Sequence, residues 1–233
     1  MIPEEIELRG ALVSILFAND VELEIPIWVT DLASFRRWTQ EPDFPEKGKI
    51  WWLRGEVWAD MRSEQLFSHL EVKSEFVTIL RTLVRAEDLG LMWTDEPLLN
   101  NEEAGLSGNP DAMFISHEAL ADVRVVLIEG KSDGWTEVRG SPDMVLEIVS
   151  KCSVRKDLTI LHEDYFTAGI AEYWLVDARN SPPRFDILRR NSTGFVATRK
   201  QGGWIKSMVF GKLFWLKEGT DRSGNTTYTL EVK

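Results

Sequence analysis

The spacing of apolar and polar positions changes along the chain, and the changes outline its elements. Between residues 63 and 87, Leu66, Leu70, Val77, Leu80 and Val84 recur at helical spacing, with Phe76 and Leu83 widening the stripe. This predicts the longest helix of the protein, stopped by Gly90. Leu158, Leu161 and Tyr165 predict a second amphipathic helix over 153–168, stopped by Gly169. Between the two, "LMWTDEPLL", "PDAMFIS", "VRVVLIEG" and "SPDMVLEIVS" read as strands. They are separated by the polar loop "NNEEAGLSGN", a helical turn near "HEALA" and a charged loop containing Gly; "EYWLVDAR" adds a strand after the second helix.

Upstream, "ALVSILF" and "VELEIPIWV" predict strands, and "TDLASFRRWTQ" a short helix with Thr30 or Asp31 as its N-cap. "EPDFPEKGK" is a turn leading into "IWWLRGEVWADM", a β-rich stretch bent at Gly55. Beyond residue 180, "RFDILRR", "GFVATRK", "GWIKSMVFGKLFWL" and "YTLEVK" are short strands between turns. The pattern predicts an α/β or α+β protein with a mixed sheet flanked by helices and further antiparallel strands at both ends. We expect one domain over 1–233, with a core at 55–190, a β-rich N-terminal extension at 1–54 and a C-terminal β extension at 191–233. About fifty C-terminal residues could not bury much core alone.

One strand carries an anomaly. In "SPDMVLEIVS", Glu147 interrupts Met144, Val145, Leu146, Ile148 and Val149. Asp143, Val145, Glu147 and Val149 share one face of that strand, so either the valines are exposed or the carboxylate is buried. A lone buried carboxylate costs several kcal/mol or gives up its charge. "NPDAMFIS" opens with the same Pro-Asp pair, Pro110-Asp111, as the Pro142-Asp143 of the anomalous strand. Proline has no N–H for a ladder and suits a strand's first residue, and the aspartate after it can close a turn. If the two strands are neighbours, Asp111 and Glu147 supply oxygen ligands suited to Mg²⁺ or Mn²⁺. A salt bridge from Glu147 to Arg155 or Lys156 answers the same problem.

Composition narrows the setting. The single cysteine, Cys152, excludes an intramolecular disulfide framework and a zinc cluster and points to a reducing compartment. "MIPEEIELRGALVSILFAND" lacks a basic leader or a long apolar run, so we expect a cytoplasmic protein without a signal peptide or membrane span. The net charge of −11 argues against a nonspecific coat on nucleic acid and leaves room for a local basic groove beside an acidic metal site. The ten tryptophans are scattered and read as core and rim residues rather than a base-stacking platform.

The segment "SPDMVLEIVS…SVRKDL…Y…AGIAEYWLVDAR" resembles the Uma2 family of endonuclease-like proteins, part of the PD-(D/E)XK nuclease superfamily. Pro110-Asp111, Pro142-Asp143, Glu147, Ser150, Asp157, Tyr165, Gly169 and Glu172-Tyr173-Trp174 fit its signature in order, over about residues 55–190. The resemblance implies a restriction-endonuclease-like core, with Asp111 and Glu147 binding Mg²⁺ or Mn²⁺ for hydrolysis of DNA phosphodiesters. Asp143 would complete the metal shell or cap its strand. His69, on the long helix, would be a ligand, base or phosphate contact at the rim, or else a half-buried structural histidine. The superfamily lysine two residues after the acidic residue is replaced by Val149. The lysine that the wider family places on the following helix is replaced by Leu161, which lies on an apolar stripe. Lys156 is the nearest substitute, with Arg155 and Lys151 as others. The missing lysine and the acidic charge also suit a nuclease fold that has lost catalysis and binds nucleic acid or a protein. Homodimerisation suits cleavage of both strands of a duplex, and no feature of the sequence demands it.

Overall fold

A computed structural model describes residues 12–18, 21–95, 97–131 and 134–233. The residues before 12, on which the expectation about a leader rests, lie outside these. The N-terminal third contains β1 (Leu12–Ala18), β2 (Val21–Pro26), α1 (Leu32–Trp38), β3 (Lys49–Leu53) and β4 (Glu56–Asp60). A wide π-type turn over Leu66–Glu71 then runs into α2 (Val72–Ala86). Next come β5 (Gly90–Thr94), β6 (Leu98–Asn101), β7 (Leu106–Gly108), β8 (Ala112–Ser116), α3 (His117–Ala121), β9 (Val125–Glu129), β10 (Trp135–Gly140) and β11 (Met144–Ile148). A second π-type turn, Lys156–Ile160, leads into α4 (Leu161–Thr167), followed by β12 (Glu172–Asp177), β13 (Arg184–Arg190), β14 (Phe195–Ala197), β15 (Ile205–Lys206), β16 (Leu213–Thr220) and β17 (Thr226–Val232).

The mixed α+β fold is the expected one. The central sheet has the order β14-β13-β12-β11-β8-β5, parallel only between β11 and β12. A second six-stranded sheet, β4-β3-β7-β6-β10-β9, covers part of one face. It contains two strands that sequence reasoning left in loops: β7 within "NNEEAGLSGN", and β10 in the charged stretch before Gly140. Burial explains both. The polar Asn100, Asn101 and Ser107 lie inside, and Asn101 gains a place there by donating to the carbonyls of Gly140 (3.0 Å) and Ala168 (3.1 Å).

β11 is buried on both faces, as its apolar run predicts. Met144, Leu146 and Ile148 pack with α2 and with the C-terminal sheet β15-β16-β17, through residues such as Phe76, Phe214 and Leu230. Val145 and Val149 pack on the other face with Trp51, Leu161 and Tyr165. The C-terminal strands therefore share the central core. Glu75 of α2 accepts from the Leu230 amide (2.7 Å) and ties that sheet to the helix.

The predicted helix is present with its first turn rotated. Leu66 is 65% exposed and Leu70 36%, while His69, Val72, Lys73, Phe76, Leu80 and Val84 face inward. The π-type turn, marked by the Leu70 amide bonded to the Gln65 carbonyl (3.1 Å), shifts the register so that two ionisable side chains take the inner positions. Asp31 caps α1, as expected. The bend at Gly55 is a tight β3–β4 hairpin in which Arg54 and Gly55 both have positive φ (54° and 84°).

Trp51 of β3 is clamped against Gly108 of β7, where an added Cβ would lie 2.1 Å from the indole ring. Gly108→Ala is expected to displace Trp51 and cost about 1–3 kcal/mol, read by urea denaturation followed through tryptophan fluorescence.

Candidate functional site

Register brings the acids together. Ala112 of β8 stands opposite Thr94 of β5 on one side and Leu146 of β11 on the other. The next row is therefore Asp95, Asp111 and Glu147, three carboxylates at the end of three adjacent strands, with strand spacing of roughly 4.8 Å. Asp111 and Glu147 are 1% and 2% exposed. The buried alternative for Glu147 is the one realised.

Each acid of the row has its own partners. Asp111 Oδ2 accepts from the Ile148 amide (2.7 Å), and Oδ1 from the Lys49 ammonium. Lys73 Nζ lies 3.4 Å from the same Oδ1, and His69 Nε2 3.6 Å from Oδ2. Glu147 Oε1 accepts from the Tyr165 hydroxyl (2.7 Å), and Oε2 lies 3.2 Å from Lys156 Nζ. Lys156 also meets Asp157 at 2.5 Å and sits 4.5 Å from the centre of the Trp51 ring. Asp95 pairs with Lys73 at 2.8 Å. Glu64, from the loop before the π-type turn, takes Lys73 on both oxygens at 2.8 Å and lies 3.3 Å from His69 Nδ1.

Of the residues singled out from sequence, Asp111, Glu147, His69 and Lys156 thus converge on one end of the central sheet. Asp143 does not. It sits at the opposite end of β11, accepts from the Ser116 amide (2.7 Å) and pairs with Arg124 (2.8 Å), so of its two expected roles it fills the capping one. Lys49, Glu64, Lys73 and Asp95 were missed. Lys73 had a signal, being four residues from His69 on the same helical face. Lys49 and Glu64 come from other segments and gave none.

Glu64, His69 and Asp111 each offer a ligand atom, and these atoms lie within 4.8 Å of one another. His69 is 5% exposed and its Nδ1 has no well-formed hydrogen bond. Five carboxylates (Glu64, Asp95, Asp111, Glu147, Asp157) face three ammoniums (Lys49, Lys73, Lys156), an excess of two negative charges when all are ionised. Carboxylate oxygens, an imidazole and that excess fit a divalent cation.

The electrostatics follow from the geometry. Burial alone would raise the Asp111 carboxyl, but Lys49, His69 and Lys73 outweigh it and hold it well below the usual range. Glu64 is half-buried, yet His69 and Lys73 bring it down to about 2. Burial pushes Glu147 up to about 7, against the pull of Lys156 and with help from Asp157 and Asp111. Burial would also lower Lys156, but Asp157 and Glu147 keep it above its ordinary value. The Tyr165 phenol, buried against Glu147, is raised well above its ordinary value and stays a donor.

The signature residues beyond the site are structural. Glu172 accepts from Trp174 Nε1 (2.9 Å), the Ser207 hydroxyl (2.7 Å) and the Met208 amide, so it fastens the turn before β16 to the central sheet. Tyr173 donates to the Asp157 carbonyl (2.9 Å).

Comparison with known proteins identifies a family and a related fold. The Uma2 family model, described as "Putative restriction endonuclease", matches residues 32–216. A crystal structure described as a "putative nuclease belonging to DUF820" from Anabaena variabilis superposes with a TM-score of 0.56 at 15% identity, covering 78% of this chain and 90% of that one. At that identity the likeness speaks for the fold. No curated protein matches the sequence. Among the described residues no helix is long and apolar enough to cross a membrane.

Glu147, with its native value near 7 and its ordinary value at 4.5, binds a proton more tightly when folded. Metal-free protein should therefore lose stability as pH rises from about 4.5 to about 7. Denaturation in chelator at several pH values should show a drop on the order of 1–3 kcal/mol that Glu147→Gln lacks. Identical slopes for the two proteins would refute the assignment.

Proposed function

The chain belongs to the Uma2 family, and from that premise we propose that it is a metal-dependent endonuclease hydrolysing DNA phosphodiester bonds. The observation that carries this reading is the convergence of Asp111, Glu147, His69 and Lys156 on one sheet end, together with the unanticipated Glu64. Asp111, Glu64 and His69 would hold Mn²⁺ or Mg²⁺, and the imidazole favours Mn²⁺ of the two. Such an ion would supply Lewis-acid charge to a phosphate oxygen and ease deprotonation of water.

The chain's own residues do the rest. Lys73 and the Ile148 amide fix the Asp111 carboxylate, so its orientation costs no reorganisation during the reaction. Tyr165 and Lys156 hold Glu147 beside the same site. In the reaction the water oxygen bonds to phosphorus, the ester P–O bond breaks, the water proton passes to solvent and the leaving oxygen takes one up. With Glu147 ionised, the site's surplus of carboxylates repels DNA unless a cation is bound, which couples metal uptake to substrate binding.

The alternative is a nuclease fold that binds without cutting. The full burial of both Val149 and Leu161, at the two positions where a lysine was expected, favours it. Plasmid cleavage and calorimetry separate the two. Asp111→Ala and Glu147→Ala are each expected to lower Mn²⁺-dependent nicking at least about 100-fold, and Glu64→Ala to weaken Mn²⁺ binding. Saturable Mn²⁺ binding with no cleavage by the wild type would leave only the binding module standing.

A further inference from the structure

Three ammoniums reach the row of carboxylates, and they differ in what each is free to do. Lys156 is enclosed: its side chain is 11% exposed, locked between Asp157 and Glu147, with Trp51 over its ammonium. Lys73 is 8% exposed and held by both oxygens of Glu64 and by Asp95. Lys49 is different. Its side chain is 25% exposed, and its ammonium donates to Asp111, the acid common to both candidate ligand sets, Asp111 with Glu147 and Asp111 with Glu64 and His69. Glu64 lies 3.5 Å from it and Asp95 3.7 Å. Glu147 lies within its electrostatic reach from the other side.

Lys49 is therefore the most solvent-accessible of the three lysines, beside the partly exposed Glu64 and Asp95, and the best placed of them to meet a phosphodiester arriving from solvent. It is the first residue of β3, and Trp51 and Leu53 of that strand are buried against the central core, so the lysine is delivered by a rigid strand.

We propose that Lys49, supplied by the second sheet, is the catalytic lysine of this site. It contacts the scissile phosphate and the attacking water in place of a lysine on β11. This rests on the nuclease reading above. Lys49 acts as a fixed positive charge and transfers no proton. On substrate binding its ammonium exchanges part of its hold on Asp111 for a non-bridging phosphate oxygen beside the cation that Asp111 would already hold.

The test pairs Mn²⁺ titration calorimetry with single-turnover cleavage of supercoiled plasmid. Lys49→Gln is expected to cut at least about 100-fold more slowly. Its Mn²⁺ affinity should be unchanged or tighter, because a competing cation has left Asp111. A Lys49→Cys protein in a Cys152→Ser background, alkylated with bromoethylamine to restore an ammonium at nearly the same reach, should regain at least tenfold. Wild type that neither binds Mn²⁺ nor cuts DNA overturns the nuclease reading and this assignment with it. Active wild type with Lys49→Gln within threefold overturns the assignment alone. So does a Lys49→Gln protein that loses Mn²⁺ binding, or a folded aminoethylated variant that stays inactive.

Discussion

Like charges placed side by side on adjacent strands, out of water, repel strongly, and the row Asp95, Asp111, Glu147 imposes that condition on the whole protein. Two of the three acids are almost fully buried, where neither solvent nor salt screens them effectively. What surrounds them can be understood as the answer. The π-type turn rotates His69 and Lys73 inward and leaves Leu66 and Leu70 outside. The β3–β4 hairpin carries Lys49 to the strand ends. The second π-type turn does the same for Lys156. In the two π-type turns a regular helical turn is given up so that a cation or a hydrogen-bond donor can reach an oxygen.

The compensation is deliberately incomplete in charge, and that shortfall distinguishes the site from a buried salt bridge. A structural pair tends toward neutrality, because any residual charge carries a desolvation cost. Here the acids outnumber the ammoniums, Glu147 meets part of that excess by binding a proton near neutral pH, and His69 keeps a ring nitrogen without a good hydrogen bond. These features suit the cation site proposed above.

Much of this was legible in the sequence, for identifiable reasons. Glu147 stood out because a strand's side chains alternate and its neighbours are aliphatic. Asp111 followed from the repeated Pro-Asp, and Lys156 from its place just beyond the strand. The apolar spacing located both long helices, but it put Leu66 and Leu70 inside, because a 3.6-residue period cannot anticipate a wide turn. β10 was hidden by its charges: Glu137 is buried yet paired with Arg36, more than a hundred positions away. Lys49 and Glu64 were invisible for the same reason. Their relation to Asp111 exists only in three dimensions, where the two sheets meet. The signature itself mixes roles, since Glu172 and Trp174 brace the C-terminal strands while Glu147 and Tyr165 belong to the site.

The contact between Lys49 and Asp111 spans 62 residues of chain, whereas Lys156 lies nine residues from Glu147. An intermediate that pairs β8 with β11 before the hairpin docks would enclose Asp111 with much of its compensation absent. Such a species must keep water at the strand ends or protonate the acid, and both keep it high in free energy. Burial of Asp111 and docking of the hairpin are thereby coupled, since either without the other leaves a buried charge without much of its compensation.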